Sequence, residues 1–107
     1  MNAETLKGHL DLLLLAAIDA QPAHGYAIAE RLHARSGGLF DLPEGTLYPA
    51  LHRLERGALV SSRWSEVGGR RRRVYQLTAK GRRALTERHD EWREFARAVH
   101  AVVEDLG

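Results

Sequence analysis

Four arginines, Arg70 to Arg73, stand in a row directly after Gly68-Gly69 and run into the alternating segment Val74-Tyr75-Gln76-Leu77-Thr78. Arg53 and Arg56 lie a short distance upstream, among Thr46, Tyr48 and His52. A guanidinium keeps its proton at any physiological pH and offers five donors in a planar fork. The chemistry on offer is therefore recognition of phosphate oxygens rather than bond making. From Glu44 to Arg83 there are ten Lys or Arg against three Asp or Glu, and the rest of the 107 residues holds six against eleven. The modest net charge of +2 thus hides a basic middle of +7 and an acidic remainder of −5. Such segregation points to a polyanionic partner for the middle segment.

Other chemistries find little support. The six histidines, His9, His24, His33, His52, His89 and His100, form no i, i+4 pair, and no cysteine or carboxylate cluster accompanies them, so no metal or other cofactor is expected. No nucleophile–base constellation and no phosphate-binding glycine loop is present, so no catalytic residue is assigned and an enzyme is not expected. The absence of cysteine excludes disulfides and favours a reducing cytoplasm. The apolar run Leu12 to Ile18 is seven residues, too short to span a bilayer, and nothing around it resembles a signal peptide. With 44% hydrophobic and 28% charged residues, the chain is that of one ordinary folded domain with a modest core.

The elements that must position the basic residues follow from periodicity. A leucine- and alanine-rich helix is expected over residues 3–20, with Leu12 and Leu15 adding apolar surface beyond the main face. A second is expected from about His24 to Ser36, stopped by Gly37-Gly38. A third runs from near Pro43-Glu44 to Gly57, with Leu47, Ala50, Leu51 and Leu54 along one side. Gly45, Pro49, His52 and Arg56 lie opposite, and Thr46, Tyr48 and Arg53 flank them. Pro49 removes a donor, which predicts an irregular first turn or a regular start near Thr46. Two strands, about Leu59–Ser65 and Arg72–Thr78, are joined through Glu66-Val67-Gly68-Gly69 as a hairpin. Thr78 suits the N-cap of a last helix. That helix carries Leu85, Trp92, Val99 and Leu106 at seven-residue intervals, with Phe95 and Val102 filling the seam. So long a terminal helix has little to pack on within a small monomer, and a second copy is the expected partner.

The fold class that results is mainly α with a small β-hairpin. Residues 1–78 make a winged helix-turn-helix, and residues 79–107 make a long C-terminal dimerisation helix within the same compact unit. The segment Glu44-Gly-Thr-Leu-Tyr-Pro-Ala-Leu-His-Arg-Leu-Glu55 resembles the signature of PadR-type transcriptional regulators. So do His24-Gly25-Tyr26, Gly69-Arg-Arg-Arg-Arg-Val-Tyr-Gln-Leu-Thr78 and Gly81, and the single last helix resembles the short subfamily. The resemblance covers nearly the whole chain. It implies a homodimeric repressor that binds inverted-repeat operators in double-stranded DNA and is relieved, in many members, by small aromatic or amphiphilic ligands.

Candidate DNA contacts are Thr46, Tyr48, His52, Arg53, Arg56 and the row Arg70, Arg71, Arg72 and Arg73. Strand alternation lets two or three of the four wing arginines reach one DNA surface. Arg70 and Arg71 are expected near the tip, with Arg72 or Arg73 on a phosphate. Tyr48 either packs along its own helix or, as the resemblance implies, meets DNA. Thr46 is a cap, a phosphate ligand, or both. Trp92 lies fourteen residues after Thr78, where multidrug-sensing relatives place a tryptophan that lines a ligand pocket between subunits. It is either a dimer-core aromatic or an effector contact, with Leu12 and Leu15 as further candidate lining. The competing function is a winged-helix interaction module whose basic wing grips an acidic protein.

Overall fold

The computed structural model describes residues 6–104; Leu106, at the end of the expected seam, lies outside them. Helix α1 spans Leu10–Ala20 and is followed by a two-residue strand β1, Ala23–His24, and helix α2, Gly25–Arg35. Helix α3 spans Glu44–Arg56, strands β2 and β3 span Val60–Val67 and Arg70–Leu77, and helix α4 spans Ala79–Glu104. The strands form one antiparallel sheet in the order β1-β3-β2. The architecture is the expected winged helix-turn-helix with a long C-terminal helix.

Four boundaries differ from the sequence reading. The regular helix α1 starts at Leu10, after a turn at Gly8-His9 that follows helical residues Leu6-Lys7; the expected start near Ala3 lies outside the described residues. Glycine is a poor helix former, and a Cβ at Gly8 would point into open space. Helix α3 is regular from Glu44 despite Pro49, with Pro43 at the cap position. The bond that Pro49 cannot donate would have ended on Gly45, and both residues are exposed, so solvent reaches the orphaned carbonyl. Both hairpin strands run on to the glycines themselves: Val67 pairs with Arg70, leaving only Gly68-Gly69 as the turn. Their φ values of 60° and 77° are those of a two-residue hairpin turn with both central residues left-handed, which glycine adopts without strain. Strand β1 is an addition, pairing Ala23 with Tyr75 and His24 with Val74.

The core explains why α1 is so apolar. Leu14, Leu15 and Ile18 meet Ile28 from α2, Leu47, Leu51 and Leu54 from α3, and Val60 and Tyr75 from the sheet, all at 2% exposure or less. Each such aliphatic side chain contributes about 1.5–3 kcal/mol by leaving water. Helix α4 behaves differently, since only Gly81 among its 26 residues is buried. A Cβ on Gly81 would stand 1.9 Å from the Leu59 carbonyl oxygen, so the glycine lets α4 leave the sheet in direct contact with the backbone. Thr78 fixes that junction. Its hydroxyl accepts from the Gly81 N–H at 3.0 Å, as an N-cap does, and lies 2.6 Å from the Ala58 carbonyl, to which it donates.

Candidate nucleic-acid interface

The apolar side of α3, formed by Leu47, Ala50, Leu51 and Leu54, is buried and turns Gly45, Pro49, His52, Arg53 and Arg56 outward. Thr46 and Tyr48 are half-buried. Tyr48 lies against the start of α2. A Cβ at Gly25 would stand 2.7 Å from its ring and hydroxyl, so the glycine of His24-Gly25-Tyr26 makes room for the tyrosine. The packing that the sequence left open for Tyr48 is thus against α2, not along its own helix. His24 stacks on Tyr26 with ring centroids 6.4 Å apart. Burial and the nearby Arg72 charge hold its imidazole below the ordinary 6.5, which favours the neutral ring.

Arg53 is not a free flank of this helix. It donates to Asp11 Oδ1 at 2.6 Å, and Arg88 of α4 donates to Asp11 Oδ2 at 2.8 Å. One carboxylate is therefore clasped by guanidinium groups from the third and last helices. Partial burial by itself pushes the Asp11 carboxyl up. The hydrogen bonds and charges of Arg88 and Arg53 outweigh it and hold the group below its ordinary 3.8. The phosphate role expected for Arg53 must compete with this pair, which is 42 residues distant in sequence and invisible to periodicity.

The wing separates its four arginines by face. Arg71 and Arg73 lie on the face of Trp64, Ser62 and the buried Tyr75, whereas Arg70 and Arg72 share the opposite face with Arg63. Arg73 is committed to the protein: its Nε donates to Ser62 Oγ at 2.7 Å, and its Nη2 stands 3.8 Å from Glu55 Oε2. Ser62 Oγ in turn donates to Glu55 at 2.6 Å, tying the wing to the C-terminal turn of α3. The same carboxylate, after burial itself, helps raise the Tyr75 phenol above its ordinary 10.0. The side chains of Arg56, Arg70, Arg71 and Arg72 make no hydrogen bond or ion pair with other described residues and keep their donors available.

A cavity of about 560 Å³ opens between α1 and α4 and is walled by Asp11, Leu12, Arg53, Arg88, Trp92 and Phe95 among others. The His9 ring meets Trp92 edge-on at 5.1 Å. Leu12 and Trp92 are thus brought together, but Leu15 is not: it is completely buried in the core and takes no part in the wall. On α4, Trp92, Phe95, Val99 and Val102 are 41–67% exposed. Leu85 differs, because it packs against the core of its own chain. Among the described residues, no group of three or more metal-ligating side chains gathers, and no helix is long and apolar enough to cross a membrane.

Sequence reasoning passed over Asp11, Glu55, Ser62 and Trp64. For Trp64 a signal existed. A two-residue turn at Gly68-Gly69 fixes the register, and counting back from it sets Trp64 opposite Arg73.

A helix-turn-helix whose third helix lies beside a basic, two-residue-turn hairpin defines a winged-helix DNA-binding protein. The chain belongs to the PadR-like transcriptional regulator family, whose sequence model matches residues 14–87. It is 46% identical over 76 residues to the transcriptional regulator Rv3488 of Mycobacterium tuberculosis, covering 71% of this chain and 68% of that protein. A PadR family transcriptional regulator from Eggerthella lenta superposes with a TM-score of 0.80 at 33% identity, covering 94% of this chain and 87% of that one. A PadR family regulator from Clostridium difficile gives 0.78 at 33% identity, over 90% of this chain and 99% of that one. The protein is accordingly a DNA-binding transcriptional regulator and not an enzyme.

Proposed function

We propose that this regulator works as a homodimer, joined through residues 79–107, that represses by binding an inverted-repeat operator and lets go when a small aromatic or amphiphilic ligand enters beside Trp92. The observation that carries the reading is the stripe Trp92, Phe95, Val99 and Val102, exposed along one side of α4 and continuous with the cavity wall. A second copy laid along this stripe buries it as a coiled-coil seam. It also closes the open side of the cavity. Two recognition helices are then presented to successive major grooves, about 34–36 Å apart for half-sites one turn apart. The exposed side of α3, with His52 and Arg56, faces the bases, and Arg70, Arg71 and Arg72 supply phosphate or minor-groove contacts.

The cavity wall includes Arg53 of the recognition helix and its ion-pair partner Asp11 of α1. A ligand that binds one arrangement of this wall better than another shifts the angle between subunits, and DNA affinity changes by the same free energy. The test is fluorescence anisotropy with a labelled duplex from the gene's own upstream region, against scrambled DNA at several salt concentrations. Steeply salt-dependent binding that prefers the upstream duplex, released by a flat aromatic compound that also quenches Trp92, is the expected result. Equal binding to both duplexes would remove the sequence-specific operator. Failure to bind either at low salt would pass the lead to the acidic-partner module.

A further inference from the structure

Trp64 is 55% exposed on β2, outside the core, yet its ring is not isolated. The Arg71 guanidinium carbon stands 5.1 Å from the ring centroid and that of Arg73 stands 5.4 Å from it. Both distances are within cation–π range, which for tryptophan is the strongest of the aromatic cases. The two arginines differ in their polar partners. Arg73 is anchored through Ser62 to Glu55 on α3, while the Arg71 side chain makes no hydrogen bond or ion pair with other described residues. A guanidinium stacked on a ring keeps its in-plane N–H fork free, so stacking orients Arg71 without consuming a donor.

We infer that Trp64 is a positioning residue for DNA binding: a platform, braced through Arg73, Ser62 and Glu55 to the recognition helix, that holds Arg71 ready for a phosphate. An unstacked arginine at the tip of a hairpin has many rotamers to lose when it engages DNA, and that entropy weakens the contact. Trp64 removes part of that loss beforehand. Arg73 is the strut and Arg71 the contact, so the adjacent residues do different work. The brace runs through Glu55 in the last turn of α3, and the wing is thereby kept at a set angle to the helix that enters the groove.

The inference rests on the wing meeting DNA, and the experiment separates the two. Binding of one labelled duplex is measured over a range of salt for the full-length protein, Trp64→Leu, Trp64→Phe, Arg71→Ala, Arg71→Lys and the double variant Trp64→Leu/Arg71→Ala. Arg71→Ala alone decides whether the wing touches DNA: it should weaken binding and lower the salt slope by about one unit. An unchanged slope removes that contact and the platform with it. Trp64→Leu should cost about two- to fivefold in affinity, the size of an exposed cation–π contact. Arg71→Ala should then add much less to Trp64→Leu than it costs in the parent. Trp64→Phe should restore most of the loss, because a ring face remains. Arg71→Lys, which keeps the charge but not the stacked fork, should lose affinity and needs no change at Trp64. Full additivity of the two single losses, or a Lys variant as tight as the parent, would overturn the platform and leave Trp64 as an independent contact or a bystander.

Discussion

Helices α3 and α4 are both amphipathic, and they meet opposite fates. In α3 the apolar side, Leu47, Ala50, Leu51 and Leu54, is buried within the chain. In α4 the seam residues Phe95, Val99 and Val102 are exposed and Trp92 nearly half so, and the helix touches the body through Gly81, Ala84, Leu85, Arg88 and the His9–Trp92 contact. A similar sequence pattern therefore encodes two different instructions. One is satisfied by the chain itself and builds the scaffold; the other is left exposed, and the proposed second copy would cover it. The arginines divide in the same way. Arg53 and Arg73 are engaged by Asp11, Ser62 and Glu55, and Arg70 and Arg71 are left over.

The comparison breaks most visibly at residues that serve the scaffold. Leu51→Ala should destabilise the fold by about 2–5 kcal/mol, since a completely buried side chain leaves a cavity. Gly81→Ala should also lower the melting temperature sharply, because its methyl collides with the backbone of Leu59 rather than with a flexible side chain. Thermal denaturation followed by circular dichroism checks both. A melting temperature within two or three degrees of the parent would mean that α4 does not depend on its glycine junction. The left-over surface predicts the reverse behaviour. Phe95→Lys with Val99→Lys should leave helical content intact while sedimentation finds monomers, and operator binding should fall at least tenfold. Leu85→Lys would confuse that experiment, since Leu85 also packs on the core.

Smaller effects sharpen the division among the arginines. Arg70→Ala with Arg71→Ala should weaken binding to every duplex and flatten the salt slope by about one to two units. Arg73→Ala should lower thermal stability and hardly move the slope. Asp11→Asn tests the point where the two helices meet. Because the folded carboxyl titrates below 3.8, its contribution to stability is complete above that pH and is lost as pH falls through the lowered value. The difference in melting temperature between parent and Asp11→Asn should therefore be present at pH 7 and shrink as pH falls below 3.8. A difference that stayed constant with pH would mean that the Asp11 charge does not hold Arg53 and Arg88.

Most of the scaffold was legible because periodicity reports burial. The leucines of α3 recur at helical spacing, and glycines mark both the end of α2 and the turn of the wing. Strand β1 escaped notice because two residues carry no period; Ala23 and His24 become a strand only because β3 is there to pair with. The candidate site was legible in its charge and less so in its assignments. Arg53 follows the expected flank of α3, but nothing in local spacing reveals a carboxylate on α1 waiting for it. By pattern alone Leu15 is surplus apolar surface. Its helix is buried more widely than a single face requires, and Leu15 belongs to the core rather than to the cavity.

The junction at Thr78 has a mechanical consequence. Helix α4 has 26 residues, and at about 1.5 Å per residue it is a rod of about 39 Å. Its first half is held to the body, out to Arg88 on Asp11 and Trp92 on His9, but any tilt about the root is magnified along the rod, about 0.7 Å at the far end for each degree. The clamp at its root is small: one hydroxyl shared between the Ala58 carbonyl and the Gly81 amide, with Lys80 reaching the Gly57 carbonyl beside it. Gly57 and Ala58 directly follow the recognition helix, so a twist of that helix is delivered to the base of the rod. In the proposed pair of chains, the gauge between the two DNA-reading helices would follow the pitch of this threonine joint and of the Arg88–Asp11 tie above it.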